Sequence, residues 1–150
     1  MRDQVISIAK SYGLDPDFVC AVVKTESGWR PSVVRFEPKW RYFVSPAAFA
    51  KTNGITEDTE QQLQMFSWGL TQIMGGKARE LGYTGMLTEL IKPELCVELS
   101  CQFMRRLFDR YKSYEHVAAA YNAGTPIMDF QTHKFRNQEY VDTIMSNLGG

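Results

Sequence analysis

The chain of 150 residues lacks the marks of several large classes of protein. It has no apolar run approaching the ~20 residues that a membrane-spanning helix needs, so we expect no membrane span. Its 17 basic and 17 acidic residues cancel, and this balance argues against a nucleic-acid-binding protein, which carries a basic surface. The first residues, MRDQVISIAK, contain no long apolar segment, so we predict no signal peptide.

Cysteine and histidine are also scarce. The three cysteines, Cys20, Cys96 and Cys101, are odd in number and scattered, which excludes a disulfide framework and predicts buried thiols. His116 and His133 are the only histidines, and with these cysteines they form no zinc-binding pattern. We therefore expect neither a metal nor another cofactor.

Most of what is present has the pattern of helices. Asp15 followed by Pro16 predicts a helix start, and Gly28 predicts the end of that helix. Ser45 before the next proline predicts a second capped start in the same way. Residues 29–45 contain prolines and bulky aromatics, and leave open a small irregular or hairpin segment. No other segment alternates as a strand would, so we predict a mainly α fold of packed helices.

Another helix is predicted to start at Thr56, where the acidic residues Glu57, Asp58 and Glu60 read as a solvated first turn. No repeat, low-complexity stretch or linker interrupts the chain. We predict one domain over residues 1–150, and expect a monomer.

One carboxylate lies on the apolar face of a predicted helix. Val19, Val22 and Val23 form the buried stripe, and Glu26 follows at helical spacing on the same face. One interpretation is a frayed helix end, where Glu26 reaches water. If Glu26 is instead held against an apolar wall, desolvation raises its pKa, as a general acid requires.

Three motifs occur in order along the chain: ESGWRPS (Glu26–Ser32), SWGLTQIM (Ser67–Met74) and AAYNAGTP (Ala119–Pro126). Together they resemble the soluble lytic transglycosylase family, the goose-lysozyme-like branch of the lysozyme superfamily. Its pattern is Glu-Ser-x-aromatic-x-Pro, then Gly-Leu-Met-Gln-Ile-Met, then Ala-Tyr-Asn-Ala-Gly. The segment 33–66 is longer than the usual connection and does not align.

The resemblance implies a lysozyme-like catalytic domain whose partner is the glycan strand of peptidoglycan. Glu26 would protonate the oxygen between N-acetylmuramic acid and N-acetylglucosamine, and the muramyl N-acetyl group would assist. Glu26 would then accept the proton of the C6 hydroxyl, which closes a 1,6-anhydro ring. The resemblance implies no metal and no water in this reaction.

Five further roles follow from the resemblance alone. Ser27 would contact polar groups of the sugar, or act as a helix C-cap. Gln72 would bind an acetamido group and Met74 would line the cleft, unless they mark a helix start and a core methionine. Tyr121 would contact and position Glu26, and Asn122 would bind the glycan or buttress the cleft. A simple helix terminator is the alternative for Tyr121 and Asn122.

Two departures from the family pattern concern the second motif. Thr71 replaces a methionine and is expected to make the cleft smaller and more polar at that point. Met74-Gly75-Gly76 replaces the common Met-Pro, and Gly75 and Gly76 are expected to form a looser turn.

A second carboxylate, Glu37, lies between aromatic and basic residues. Inverting glycosidases place a second carboxylate about 6.5–9.5 Å from the acid to activate water. If Glu37 had that role, the protein would be a hydrolytic muramidase. The interpretation we favour is an ion pair with Arg35 or Arg41.

A non-catalytic glycan-binding or structural virion module is the remaining alternative. Because peptidoglycan lies outside the cytoplasmic membrane, we expect action at the cell wall or in the periplasm. Without a signal peptide, delivery would be by a phage particle, lysis or non-classical export. A compact wall-lytic chain of this kind resembles a phage endolysin or virion-associated enzyme.

Overall fold

The computed structural model describes residues 1–149, which are mainly helical. Three short strands form one antiparallel sheet in the order β1-β2-β3: β1 (Val34–Phe36), β2 (Phe66–Trp68) and β3 (Ile73–Met74). A 3₁₀ helix spans Leu87–Ile91. The α-helices are α1 (Arg2–Ser11), α2 (Pro16–Ser27), α3 (Pro46–Asn53), α4 (Glu57–Gln64), α5 (Gly75–Glu80), α6 (Pro93–Tyr111), α7 (Tyr114–Ala123) and α8 (Gln138–Ser146). The prediction of a mainly α fold with a small irregular or hairpin segment is confirmed.

Local capping residues set the ends of some of the helices. The carboxylate of Asp15 accepts a hydrogen bond of 2.9 Å from the backbone N–H of Asp17, so α2 begins as predicted. Gly28, at φ 59°, ends that helix in the left-handed region. The prediction that Ser45 caps α3 is wrong, because its backbone is itself left-handed and its side chain makes no capping bond. The helix nevertheless starts at Pro46.

The sheet is not a hairpin within residues 29–45. Strand β1 pairs with β2, so that Val34 faces Trp68 and Phe36 faces Phe66. The hairpin is formed by β2 and β3, in which Ser67 faces Met74. All three residues of β1 are exposed, and therefore the strand shows no alternation of buried and exposed side chains.

The chain divides into two compact units. The first contains Met1–Glu26 and the chain from Cys101 onward, and therefore includes α1, most of α2, most of α6, α7 and α8. Tyr114 lies within it between two phenylalanines, with ring centroids 4.6 Å from Phe18 and 4.6 Å from Phe108. The buried residues of this unit include Val5, Ala9, Phe18, Val19, Val22, Met104, Val117, Ala120, Val141 and Ile144.

The second unit, Ser27–Ser100, has an ion pair in its interior. Glu60 and Arg79 are both fully buried, and Arg79 donates to both carboxylate oxygens of Glu60, at 3.0 and 2.7 Å. Arg79 also donates to the carbonyl oxygens of Tyr83 and Gly85, and Gln64 donates to Glu60 at 2.8 Å. The prediction that Glu60 belongs to a solvated helix turn is therefore wrong. Its turn of α4 faces the interior because Arg79 satisfies the charge there.

All three cysteines are buried, as predicted. Burial raises the pKa of the Cys20 and Cys96 thiols, so both stay protonated and weakly nucleophilic.

Candidate active site

Glu26 is the second-last residue of α2 and is half-buried. Val22 and Val23, one turn before it, are completely buried, so the helix presents its apolar face at this point. The helix extends one residue past Glu26, to Ser27, and the side chain of Glu26 does not simply reach water. The side chain of Glu26 is instead held by a specific partner.

That partner is Tyr140, in the first half of α8. Its phenol donates a hydrogen bond of 2.5 Å to Oε1 of Glu26. The pKa of Tyr140 lies far above its ordinary value. Burial is the largest cause, followed by the charge of Glu26 and then by this hydrogen bond. The hydroxyl therefore keeps its proton and remains a donor to the carboxylate.

Tyr140 was missed from the sequence. The role assigned there to Tyr121, contact with Glu26 and its positioning, stays a prediction, and Tyr121 is among the groups that raise the pKa of Tyr140. The ring centroid of Tyr121 lies 5.6 Å from that of Phe103. A weak signal for Tyr140 existed. It borders the buried stripe of α8, formed by Val141 and Ile144, as expected of an aromatic residue with a hydroxyl that needs a partner.

Asn122 helps to fix the start of the helix that carries Tyr140. Its Oδ1 accepts a hydrogen bond of 2.9 Å from Nδ2 of Asn137, the residue that precedes α8. The same Nδ2 donates to the carbonyl oxygen of Ala119, at 3.0 Å. Asn122 is itself exposed. The contact links the end of α7 to the start of α8, and the role of Asn122 in binding the glycan or buttressing the cleft stays a prediction.

The other end of α8 is tied to the residue before the candidate acid. Asn147, which follows the last turn, donates from Nδ2 to Oγ1 of Thr25 at 2.9 Å. Thr25 in turn donates to the carbonyl oxygen of Ala21 within α2. Helix α8 is therefore held at both ends, and Tyr140 is fixed relative to Glu26 from two directions.

Gln72 lies in the turn between β2 and β3, not at a helix start. Its backbone is left-handed at φ 53°. Its amide nitrogen donates to the carbonyl oxygens of Val33 and Gly69, both at 2.9 Å, and its Oε1 accepts from Ser67 at 2.8 Å. Both amide hydrogens are thus used within the protein. In this geometry Gln72 holds the turn and has no N–H left for an acetamido group.

Gly69 allows the same turn to pack closely. It has φ 70°, and a Cβ there would lie 2.5 Å from the carbonyl oxygen of Leu90. Its N–H donates to the carbonyl oxygen of Val33 at 2.8 Å, next to the bond from Gln72. No other residue type combines this backbone conformation with this approach.

Thr71 does not line an open surface, contrary to the expectation of a smaller and more polar cleft. It is completely buried, and its hydroxyl bonds to Ser100 at 2.5 Å and to the thiol of Cys96 at 3.1 Å. The polar replacement of methionine is therefore matched by polar partners on α6.

Gly75 and Gly76 do not form a looser turn as expected, because both are buried in the first turn of α5. A Cβ on Gly75 would lie 2.4 Å from the carbonyl oxygen of Leu63, and one on Gly76 would lie 2.6 Å from Nε1 of Trp40. The two glycines allow a tight approach of α4 and of the Trp40 ring.

Two other predicted residues, Met74 and Ser27, also belong to the second unit. Met74 is half-buried at the end of β3, where it directly precedes α5. Ser27 is buried, and its carbonyl oxygen accepts from the backbone and from Nε of Arg30.

Glu37 follows β1 and is half-buried. Its backbone N–H donates to Met65 at 2.8 Å. Within the described part of the chain its carboxylate takes part in no ion pair, and Arg41 instead donates to the carbonyl oxygens of Pro38 and Trp40. The ion pair favoured from the sequence is thus absent among these residues.

Comparison with known proteins defines the family. Residues 3–143 match the family described as Transglycosylase SLT domain, and the chain therefore belongs to that family. Membership supports a peptidoglycan-cleaving transglycosylase activity in general terms and the lysozyme-like fold. Among curated proteins, no sequence matches the chain.

Over residues 1–149, no helix has the length and apolarity needed to cross a membrane. Within residues 1–149, no group of three or more histidine, cysteine, aspartate or glutamate side chains is placed to hold a metal ion.

Proposed function

We propose that this protein cleaves the β-1,4 bond between N-acetylmuramic acid and N-acetylglucosamine in peptidoglycan without consuming water. The observation that carries the proposal is the half-buried carboxylate of Glu26, held by Tyr140, in a chain of the transglycosylase family. We propose Glu26 as the catalytic acid and then the base. Because the substrate is cell-wall glycan, the site of action would be the wall.

In the proposed reaction, the carboxyl proton of Glu26 moves to the glycosidic oxygen as the bond from that oxygen to C1 breaks. The oxygen of the muramyl N-acetyl group forms a transient bond to C1. The Glu26 carboxylate then takes the proton of the C6 hydroxyl, whose oxygen attacks C1 and displaces the acetamido oxygen. Glu26 ends protonated again, and the product carries a 1,6-anhydromuramic end.

The phenol of Tyr140 supports this cycle by orientation. It donates to one carboxylate oxygen, Oε1, and so fixes the orientation of the carboxylate for proton transfer. A donor that cannot itself ionise in the working range is suited to both steps, because it tolerates the neutral and the charged forms of Glu26. We assign Asn122 a structural part through α8, and Ser27 and Met74 the sugar contacts that the family implies.

The test is mass spectrometry of soluble products from purified peptidoglycan. The unmodified protein should release products with 1,6-anhydromuramic ends, and Glu26→Gln should release none. Glu139→Gln is the matched control, because Glu139 is an exposed carboxylate one residue before Tyr140.

Each other outcome has a definite meaning. Reducing-end products, one water heavier, would overturn the non-hydrolytic reaction in favour of a muramidase, with Glu37→Gln as the next variant. Products that persist in Glu26→Gln would reject Glu26 as the acid. The absence of products from several types of wall would support the non-catalytic glycan-binding module.

A further inference from the structure

Three residues form a row across one face of the small sheet. Arg35 on β1 is directly opposite Ser67 on β2, and Ser67 is directly opposite Met74 on β3. Because side chains alternate along a strand and align across it, these three share one face of the sheet. Arg35 therefore lies on the same face as Met74 and as the Ser67 hydroxyl that bonds Gln72.

The opposite face is aromatic and differs in character. Phe36 packs against Phe66 with ring centroids 5.3 Å apart, and Phe66 packs against Trp68 at 5.7 Å. This packing fixes the orientation of β1, since a slip of one residue would move Phe36 away from Phe66. The position of Arg35 on the same face as Ser67 and Met74 is therefore set by the packing of Phe36 against Phe66.

Arg35 differs from the other arginines of the second unit. Arg79 is buried on Glu60, Arg41 donates to two backbone carbonyls, and Arg30 donates to Ser27. Arg35 is exposed, and within the part of the chain that the structure describes its guanidinium has neither an ion pair nor a hydrogen bond. Even Glu37, two residues further on, does not pair with it. Five N–H donors in a planar fork are thus available to a ligand.

The geometry points to a carboxylate as the ligand of Arg35, and we propose that it is a carboxylate of the peptide stem on the muramyl residue. This inference rests on the proposed function, because it assumes a glycan bound along the face of Met74. The sugars of a stem-bearing strand are neutral, because the lactyl carboxyl group of the muramyl residue is amide-linked to the stem, whereas the stem itself carries free carboxylates. A planar guanidinium beside the sugar-binding face matches that charge and geometry. Arg35 would then favour strands that carry stems.

Binding is the direct test, and it can be separated from cleavage. The protein carrying Glu26→Gln is sedimented with insoluble purified peptidoglycan, either native or with its stem carboxylates converted to amides. On native wall, adding Arg35→Gln should weaken binding roughly threefold to tenfold, the range of one exposed charge-assisted contact. On amidated wall the same substitution should leave the binding unchanged, because the stem carboxylates that Arg35 would bind are no longer present.

Two control variants make the result specific. Lys39→Gln removes the same charge from an exposed residue of the same segment and should leave the Kd within about twofold, as expected of a surface cation without a specific contact. Arg35→Lys keeps the charge but loses the fork, and should lie between the unmodified residue and Arg35→Gln.

The outcomes separate this inference from the proposed reaction. An equal loss with Lys39→Gln, or a loss that persists on amidated wall, would overturn the role of Arg35 even if cleavage is confirmed. Carboxylate-dependent binding through Arg35 without any cleavage by the unmodified protein would uphold the stem contact and reject the reaction. No binding to either wall would reject both.

Discussion

The phenol of Tyr140 donates a 2.5 Å hydrogen bond to the carboxylate of Glu26 across 114 positions of sequence. The bond joins the last helix of the chain to the second, and α8 is itself held near both ends, by Asn122 and by Thr25. The candidate acid therefore depends on the folding of the C-terminal helix. This dependence leads to the first two predictions.

Removing the hydroxyl in Tyr140→Phe should lower kcat with little change in KM. A hydrogen bond to a charged group is worth about 1.5–3 kcal/mol, so kcat should fall roughly tenfold or more. The measurement is release of soluble fragments from purified peptidoglycan. Tyr42→Phe is the control. Tyr42 is 75% exposed, so removing its hydroxyl should leave kcat unchanged. An unchanged kcat in Tyr140→Phe would reject the orienting role.

The same pair predicts a pH dependence of stability. Burial and the charge of Glu26 raise the pKa of Tyr140 in the folded state above the ordinary value of 10.0. The stabilisation is therefore complete below about pH 10 and is lost as the pH rises further, because the unfolded chain releases this proton first. The free energy of unfolding should fall more steeply in this alkaline range for the unmodified protein than for Tyr140→Phe. Parallel urea titrations at several pH values would measure it, and equal slopes would contradict the linkage.

At Gln72, the contribution of the side-chain hydrogen bonds to stability can be measured separately from that of the left-handed backbone. Both Gln72→Ala and Gln72→Gly remove two hydrogen bonds from the side-chain amide to the carbonyl oxygens of Val33 and Gly69, which should cost about 1–3 kcal/mol of unfolding free energy. Because residue 72 has φ 53°, the glycine variant should be the more stable of the two, by about 1 kcal/mol. Denaturant unfolding measures both, and a more stable alanine variant would contradict the strained turn.

The ion pair of Glu60 and Arg79 should behave as a unit. Arg79→Met leaves a buried carboxylate without its cation and should cost about 3–5 kcal/mol of unfolding free energy. Adding Glu60→Leu to this variant removes the uncompensated charge, so the double variant should be more stable than Arg79→Met alone. A double-mutant cycle measured by urea unfolding tests this. Additive losses would show that the two side chains act independently.

The parts that could be predicted from sequence depend on neighbouring residues. Asp15 and Pro16 start α2 because the capping carboxylate reaches an N–H only two residues away. Thr56 caps α4 in the same way, at 3.2 Å from the N–H of Thr59. The three motifs also identified the family, because each is a contiguous stretch of sequence.

The parts that could not be predicted depend on distant partners. Strand β1 is stabilised by β2, which lies 32 positions later at the pairing of Arg35 and Ser67, and three residues are too few to show alternation. Glu60 read as a solvated acid because its partner, Arg79, lies on another helix. Tyr140 could not be assigned for the same reason, since no local pattern indicates a partner at Glu26.

The approach of Trp40 to Gly76 has a consequence for relatives of this protein. A methyl group at position 76 would occupy space taken by the indole, 2.6 Å from its nitrogen. The two positions therefore cannot vary independently during evolution. Relatives with a larger residue at the position of Gly76 are expected to carry a smaller ring, or none, at that of Trp40. In an alignment of the family, this pair should covary although 36 positions separate its members.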